Sequence, residues 1–393
     1  MSISKRGQTQ VQSPIRSLTP FAEKAKREGV EILHLNIGQP DIPTPPQAIK
    51  ALQNKIDEII AYGSSEGNIS LRNTASQYYQ SKGLNIKTED IFVTTGASEA
   101  IHFAMLACTD PNDEIIIPEP FYANYLGYAQ MAGIKIKAIS THLERGFSLP
   151  KPQDFERLIT PRTKAILLCN PGNPTGQLYS KAELHQLAKL VKKHALYLIV
   201  DEVYREFCYE QTFTSVLSLT EITQQVIVLD SISKVFSACG ARIGYLITKN
   251  TRLQHTVLKY AQLRLSPPAL GQILAEACYH NIDNYLKEVI HIYEKRRNIL
   301  YQRLSTIEGI KCYKPVAAFY NIVELPVDSA SDFCKWMLSD FRHQGRTVMF
   351  SPAAGFYYNK ALGKKQVRIA FILNEEKLHQ AMDCLEKGLE EYG

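Results

Sequence analysis

A chain of 393 residues with 45% hydrophobic and 21% charged residues is long enough for two or three domains, and its composition excludes the disordered and collagen-like classes. Its formal charge of +6 comes from 45 basic and 39 acidic residues without long blocks of one sign, so nucleic acid is not an expected partner. No apolar run approaches the roughly 20 residues that cross a bilayer, and the polar opening MSISKRGQTQVQSP lacks the apolar segment of a signal peptide, so no membrane partner and a cytoplasmic location are expected.

Thr19 to Gly29 predicts a short helix, with a capping threonine, proline in the first turn and glycine at the end. HLNIGQPDIPTPP (34–46) follows as a loop, because its prolines and Gly38 break any regular element. From about residue 48 short apolar runs alternate with helical stretches. The runs are DIFVTT (90–95), DEIIIP (113–118), IKIKAI (134–139), KAILLC (164–169), ALYLIVD (195–201), QVIVLD (225–230) and IGYLIT (243–248). Stretches between them, such as SKAELHQLAKLVKKH (180–194), repeat apolar residues every three or four positions. This alternation predicts an α/β fold with a mainly parallel seven-stranded sheet between helices. After residue 285 a long charged helical pattern, NYLKEVIHIYEKRRNILYQRL (284–304), leads into FYNIVEL and QVRIAFIL, which predicts a smaller α+β domain. The expected organisation is a large domain over 48–285, a small domain built from 15–47 and 286–393, and an N-terminal arm over 1–14.

Eight cysteines, at 108, 169, 208, 239, 278, 312, 334 and 384, include no CxxC pair, so no metal site is expected.

Ligands of open α/β sheets bind beyond the carboxyl ends of the strands, so the polar residues there form the candidate site. DIFVTT runs into Gly96, Ala97 and Ser98 and a helix start, which suits a phosphate, although Ser98 taken alone reads first as a plain N-cap. DEIIIP is followed by Tyr122, a flat face for a ring or a packing aromatic. KAILLC leads into NPGNPTG (170–176), a tight loop that fixes Asn173. ALYLIVD delivers Asp201 and, soon after, Tyr204; a carboxylate at a buried strand end needs a salt bridge or a cationic ligand. QVIVLD delivers Asp230 and then Ser231, Ser233, Lys234 and Arg242, hydroxyl and guanidinium donors for phosphate oxygens around one amine. Together they describe a ligand with a phosphate, a ring with a protonatable nitrogen, a hydrogen-bonding oxygen and a carbonyl that a lysine captures: pyridoxal phosphate.

SISKVFSACGARIGY, NPGNPTG and DEVYREF resemble the signatures of the class I aminotransferases, pyridoxal-phosphate enzymes of fold type I. GASEAI, AYGSSEG, LNIGQPD and QVRIAF match in order, so the resemblance runs from about residue 30 to the C-terminus. It implies that Lys234 joins the cofactor covalently and shuttles the substrate proton, that Asp201 pairs with the ring nitrogen, and that Tyr204 and Asn173 hydrogen-bond the ring oxygen. It implies that Tyr122 stacks on the ring. The phosphate falls to Gly96, Ala97, Ser98, Ser231, Ser233 and Arg242, joined by Tyr62 from the partner of a homodimer. Arg368 would clamp the substrate α-carboxylate beside the backbone of Gly38. The implied activity is transamination between an amino acid and a 2-oxo acid, first aspartate with 2-oxoglutarate, with aromatic amino acids as the alternative.

A dicarboxylic substrate needs a second cation. Some aspartate-accepting relatives have lysine where this chain has Ser98; Arg264, in a region that in such relatives approaches the neighbouring subunit's active site, could supply the charge instead or be a surface or interface arginine, with Arg6 and Arg16 as further candidates behind it. A carbon–sulfur β-lyase or an aminocyclopropane-carboxylate synthase would share these motifs. A ligand-sensing transcription regulator on this fold would need a DNA-binding module ahead of LNIGQPD, where fewer than 40 residues stand.

Overall fold

The structure, a computed structural model, describes residues 2–10, 16–54 and 58–393. Residues 1 and 11–14 of the expected N-terminal arm, residue 15 at the start of the expected small domain, and the side chain of Arg6 lie outside the described residues.

In chain order the strands are β1 (Glu31–His34), β2 (Ile91–Thr94), β3 (Glu114–Glu119), β4 (Lys135–Ser140), β5 (Thr163–Cys169), β6 (Tyr197–Asp201), β7 (Val226–Ser231), β8 (Gly244–Ile247), β9 (Lys311–Cys312), β10 (Tyr320–Glu324), β11 (Arg346–Met349), β12 (Ser351–Pro352) and β13 (Gln366–Ala370). Seven of them form one sheet in the order β2-β8-β7-β6-β5-β3-β4. The pairs from β4 through β3, β5 and β6 to β7 are parallel, and β8 runs antiparallel to both of its neighbours. The expected α/β architecture is therefore present. Alternate residues of these strands enter opposite cores: Ile116, Ile166, Leu198 and Val228 one, Ile115, Leu167, Ile199 and Leu229 the other. Both faces are covered, which is why the strands read as continuous apolar runs and not as alternating ones. The helix Lys181–Lys193 starts where it does because Ser180 and Glu183 form a reciprocal capping box.

A second body contains the antiparallel sheet β12-β13-β10-β9 and the parallel pair β1-β11. It packs its own core, in which Leu18, Ala22, Leu33 and Leu35 from the N-terminal segment meet Phe319, Phe333, Val348 and Leu378. Strand β1 was not expected: its four residues begin with an exposed glutamate, and it forms by pairing with β11, some 315 positions away. The loop after it is fixed by a bidentate ion pair, Arg296 of the helix Ile282–Thr306 to Asp41 at 2.6 and 2.9 Å. The two bodies are also tied at residue 176, whose carbonyl accepts the backbone N–H groups of Val316 and Ala317.

Candidate active site

A cavity of about 810 Å³ opens at the carboxyl ends of β5, β6 and β7, against β10 and β13. Its lining includes most of the residues that the sequence singles out: Gly38, Ala97, Ser98, Tyr122, Asn173 and Asp201 on one count, and Tyr204, Ser231, Ser233, Lys234, Arg242 and Arg368 with them.

Asp201 ends β6 and is 7% exposed. Its Oδ2 accepts the hydroxyl of Tyr125 at 2.6 Å and its Oδ1 accepts the backbone N–H of Val203 at 3.3 Å. Burial raises its carboxyl to about pKa 6 against these two donors, and no cation among the described residues pairs with it. Arg368 presents the opposite imbalance. It stands mid-strand in β13, opposite Ile322 of β10 and Ser351 of β12, and is 1% exposed. Its Nη1 donates to Asn173 Oδ1 at 3.2 Å, its Nη2 donates to the carbonyl of Asn36, and the rings of Tyr320 and Phe356 lie 4.7 and 4.8 Å from its carbon. Burial pulls its pKa down, and among the described residues no carboxylate pairs with it. A buried carboxylate without a cation and a buried guanidinium without an anion are costly in one cavity unless a ligand brings the missing charges.

Lys234 lies in the single helical turn Ile232–Val235 after β7, and its Nζ donates to the carbonyl of Gly38 at 2.7 Å. Gly38 is required there: a Cβ at that position would stand 1.7 Å from the hydroxyl of Tyr320. Tyr320 and Tyr204 hydroxyls are 2.9 Å apart, Asn173 Nδ2 donates to Tyr204 Oη at 3.3 Å, and burial pushes the Tyr204 phenol well up.

The opposite end of the cavity is a cradle of anion donors. Helix Gly96–Cys108 begins at Gly96, whose φ of +70° is left-handed, and a Cβ there would meet the Arg242 guanidinium at 2.4 Å. Ser98 is therefore the third helical residue and not the N-cap, a position held by Thr95 without a side-chain cap bond; this corrects the plain-cap alternative. Ser231 and Ser233 hydroxyls stand 2.7 Å apart, and Arg242, itself at φ +57°, donates to the carbonyl of Cys239 at 3.0 Å.

The floor beneath Ser231 is held by a buried network. Asp230, fully buried, accepts from Arg205, from the Tyr79 hydroxyl and, at 2.7 Å, from the backbone N–H of Ser231. The arginine follows Tyr204 directly, so one ion pair links the segment that carries Asp201 and Tyr204 to the segment that carries Ser231 and Lys234. Glu202 is buried behind them, accepting from Ser215 and from the backbone of Val216, and burial raises it to about pKa 8.

Two candidates are not brought to the cavity of their own chain. Tyr62 is 80% exposed. Arg264 is held against Glu99 with Nε 3.3 Å from Oε2, and its Nη2 donates to the carbonyls of Ser65 and Val93. Sequence reasoning missed Tyr125, Tyr320, Arg205 and Cys239, whose Sγ is 3.8 Å from Lys234 Nζ. Only Tyr125 left a trace, the three-residue spacing from Tyr122, whose ring, just ahead of the helix Asn124–Ala132, meets that of Tyr125 edge-on at 5.5 Å.

The family model for aminotransferases of class I and II matches residues 30–385. An aspartate aminotransferase of Sulfurisphaera tokodaii is 30% identical over 377 residues, 93% of this chain and 92% of that protein. An aspartate aminotransferase of Thermotoga maritima is 29% identical over 397 residues, 96% and 97% of the two chains. Among solved structures, an alanine aminotransferase from Pyrococcus furiosus superposes with a TM-score of 0.91 at 32% identity, covering 99% of this chain and 100% of that one.

Proposed function

The chain belongs to the class I and II aminotransferases and is a transaminase, and on that premise we propose that it works with pyridoxal phosphate held by Lys234, Asp201 and the cradle around Gly96 and Arg242. The observation that carries this reading is the pair of uncompensated buried charges, Asp201 and Arg368, in one cavity with a lysine. A ligand with a protonated ring nitrogen answers Asp201, and an α-carboxylate answers Arg368. The phosphate suits the free N–H groups of the helix start at Gly96, with Ala97, Ser98, Ser231, Ser233 and Arg242 around it.

Pyridoxal phosphate supplies, when bound, an electron-accepting ring that takes up the pair left by a broken Cα–H bond. The rest falls to this chain's side chains. Asp201 keeps a proton on the ring nitrogen, and its own ionised form is favoured once that cation faces it. Tyr204 and Asn173 offer hydrogen bonds to the ring oxygen. Tyr122 covers one ring face. With that group bound, the Lys234 amine would serve as the base that removes the Cα proton and, protonated, as the acid that gives a proton back. Arg368 holds the α-carboxylate with the planar fork that lysine lacks, beside the backbone of Gly38.

The reaction is a ping-pong exchange, amino acid to 2-oxo acid and back with a second pair. Aspartate with 2-oxoglutarate is the first substrate reading, supported by the likeness to the aspartate aminotransferases of Sulfurisphaera and Thermotoga; an aromatic donor is the alternative. In this reading the active unit is a homodimer in which Tyr62 would reach the partner's phosphate site; its side chain, 80% exposed beside exposed Ile59 and Ile60, is available for that contact.

The test is spectroscopic. The purified protein is expected to be yellow, to bleach with borohydride, and to lose both the band and all turnover in Lys234→Ala. A wild-type protein that stays colourless with added cofactor sinks the reading.

A further inference from the structure

Among the described residues, four cationic side chains line the cavity: Arg16, Lys234, Arg242 and Arg368. Three of them have tasks in the reading above, one at the amine, one at the phosphate and one at the α-carboxylate. Arg16 has none. It precedes the helix Thr19–Arg27, is exposed, and makes no ion pair among the described residues. With Thr19, Ile37 and Gln39 it belongs to the rim that the first 40 residues build over a buried floor.

The other candidate for a second carboxylate is engaged elsewhere. Glu99 balances Arg264 inside the chain, and two backbone carbonyls take its Nη2, so a carboxylate brought to it would also face Glu99. Ser98, further in, is neutral. The positive charge left for a substrate side chain is the one at the rim.

We infer that Arg16 is the specificity-determining residue, pairing with the distal carboxylate of a dicarboxylic amino acid or 2-oxo acid while Arg368 takes the α-carboxylate. The inference rests on the transaminase reading of this cavity. It has a corollary that a buried cation would not give. A buried arginine left without its anion rejects uncharged side chains, because its desolvation is then uncompensated. An exposed arginine keeps its water when a neutral side chain enters, so Arg16 adds affinity for diacids without excluding alanine or an aromatic amino acid. The enzyme is thus a diacid-preferring transaminase with a permissive second specificity.

The experiment compares equilibrium binding of succinate and of butanoate, equal in length and different by one carboxylate, to the cofactor-loaded protein. It uses wild type, Arg16→Gln, Arg16→Lys and Arg264→Gln, with kcat/KM for aspartate and for alanine measured alongside. Arg16→Gln is expected to weaken succinate about three- to fivefold, the upper scale of a solvent-exposed ion pair, and to leave butanoate and alanine unchanged. Arg16→Lys is expected to restore most of the loss, and the wild-type preference for succinate should shrink with added salt. Equal losses for both acids, or a diacid-selective loss in Arg264→Gln instead, overturns the assignment. Should the wild type transfer no amino group at all, the transaminase reading fails by itself, while the contrast between the two acids still decides Arg16.

Discussion

The floor and the rim of the cavity are built in opposite ways. Floor residues come from strand ends and mid-strand positions: Asp201 closes β6, Arg368 is paired on both sides within its sheet, and Asn173 follows β5. They are buried and hydrogen-bonded within the protein before any ligand arrives, Arg368 to Asn173, Asn173 to Tyr204 and Asp201 to Tyr125. Rim residues come from the first 40 positions, and Arg16, Thr19 and Gln39 are exposed. Preorganised groups in a low-dielectric floor serve chemistry common to every substrate, whereas a solvated rim grades substrates by modest increments. On the proposed reading, chemistry and choice of substrate fall to separate stretches of chain.

The strongest challenge to this division is Arg368→Ala. It removes two charge-assisted contacts and a guanidinium for the α-carboxylate, so kcat/KM is expected to fall by about three orders of magnitude for diacid and neutral substrates alike. Arg368→Lys should not recover it, because an ammonium cannot span Asn36, Asn173 and a carboxylate. A loss confined to aspartate would move substrate choice onto the floor and break the comparison.

A second test reaches under the floor. Arg205→Met leaves Asp230 buried without its cation, a kind of change that costs about 3–5 kcal/mol. A lower thermal midpoint and faster loss of cofactor are expected, with the ratio of succinate to butanoate affinity unchanged. Movement of that ratio would mean that floor and rim are coupled.

The smallest effect is a pH dependence. Burial raises the Glu202 carboxyl from 4.5 to about 8. Between those values the folded chain holds a proton that the unfolded chain has released, so the contribution of this group to stability is full below pH 4.5 and declines as pH rises to about 8. Glu206, raised to about 7 by burial, adds to the decline in the same sense. Glu202→Gln is expected to flatten the fall in unfolding free energy over that window, measured by urea denaturation at several pH values. An unchanged slope would count against a protonated Glu202.

Much of this was legible before any coordinates. Runs such as KAILLC and QVIVLD identify themselves because strands covered on both faces are apolar throughout, and the residues that follow them fall on the ligand side by the geometry of the layer. What stayed hidden depends on distance along the chain. The pairing of Arg205 with Asp230 joins positions 25 apart, and β1 exists only through β11. Asp230 in particular reads as one more polar residue beside Ser231, although its role is to anchor the turn from beneath. Arg264 illustrates the converse: an isolated arginine advertises a charge, but the Glu99 that neutralises it lies on a different helix.

The reversed strand β8 has one further consequence. The parallel strands β2, β3, β5, β6 and β7 each offer the site the loop that leaves them, but β8, running the other way, offers the loop that enters it. Arg242 precedes Gly244 and so arrives beside Gly96, which follows β2, although almost 150 residues separate them. Two turns of opposite polarity thus interlock across neighbouring strands like the two halves of a clasp. Inverting that single strand would carry the guanidinium to the far edge of the sheet and away from the other residues of the cavity.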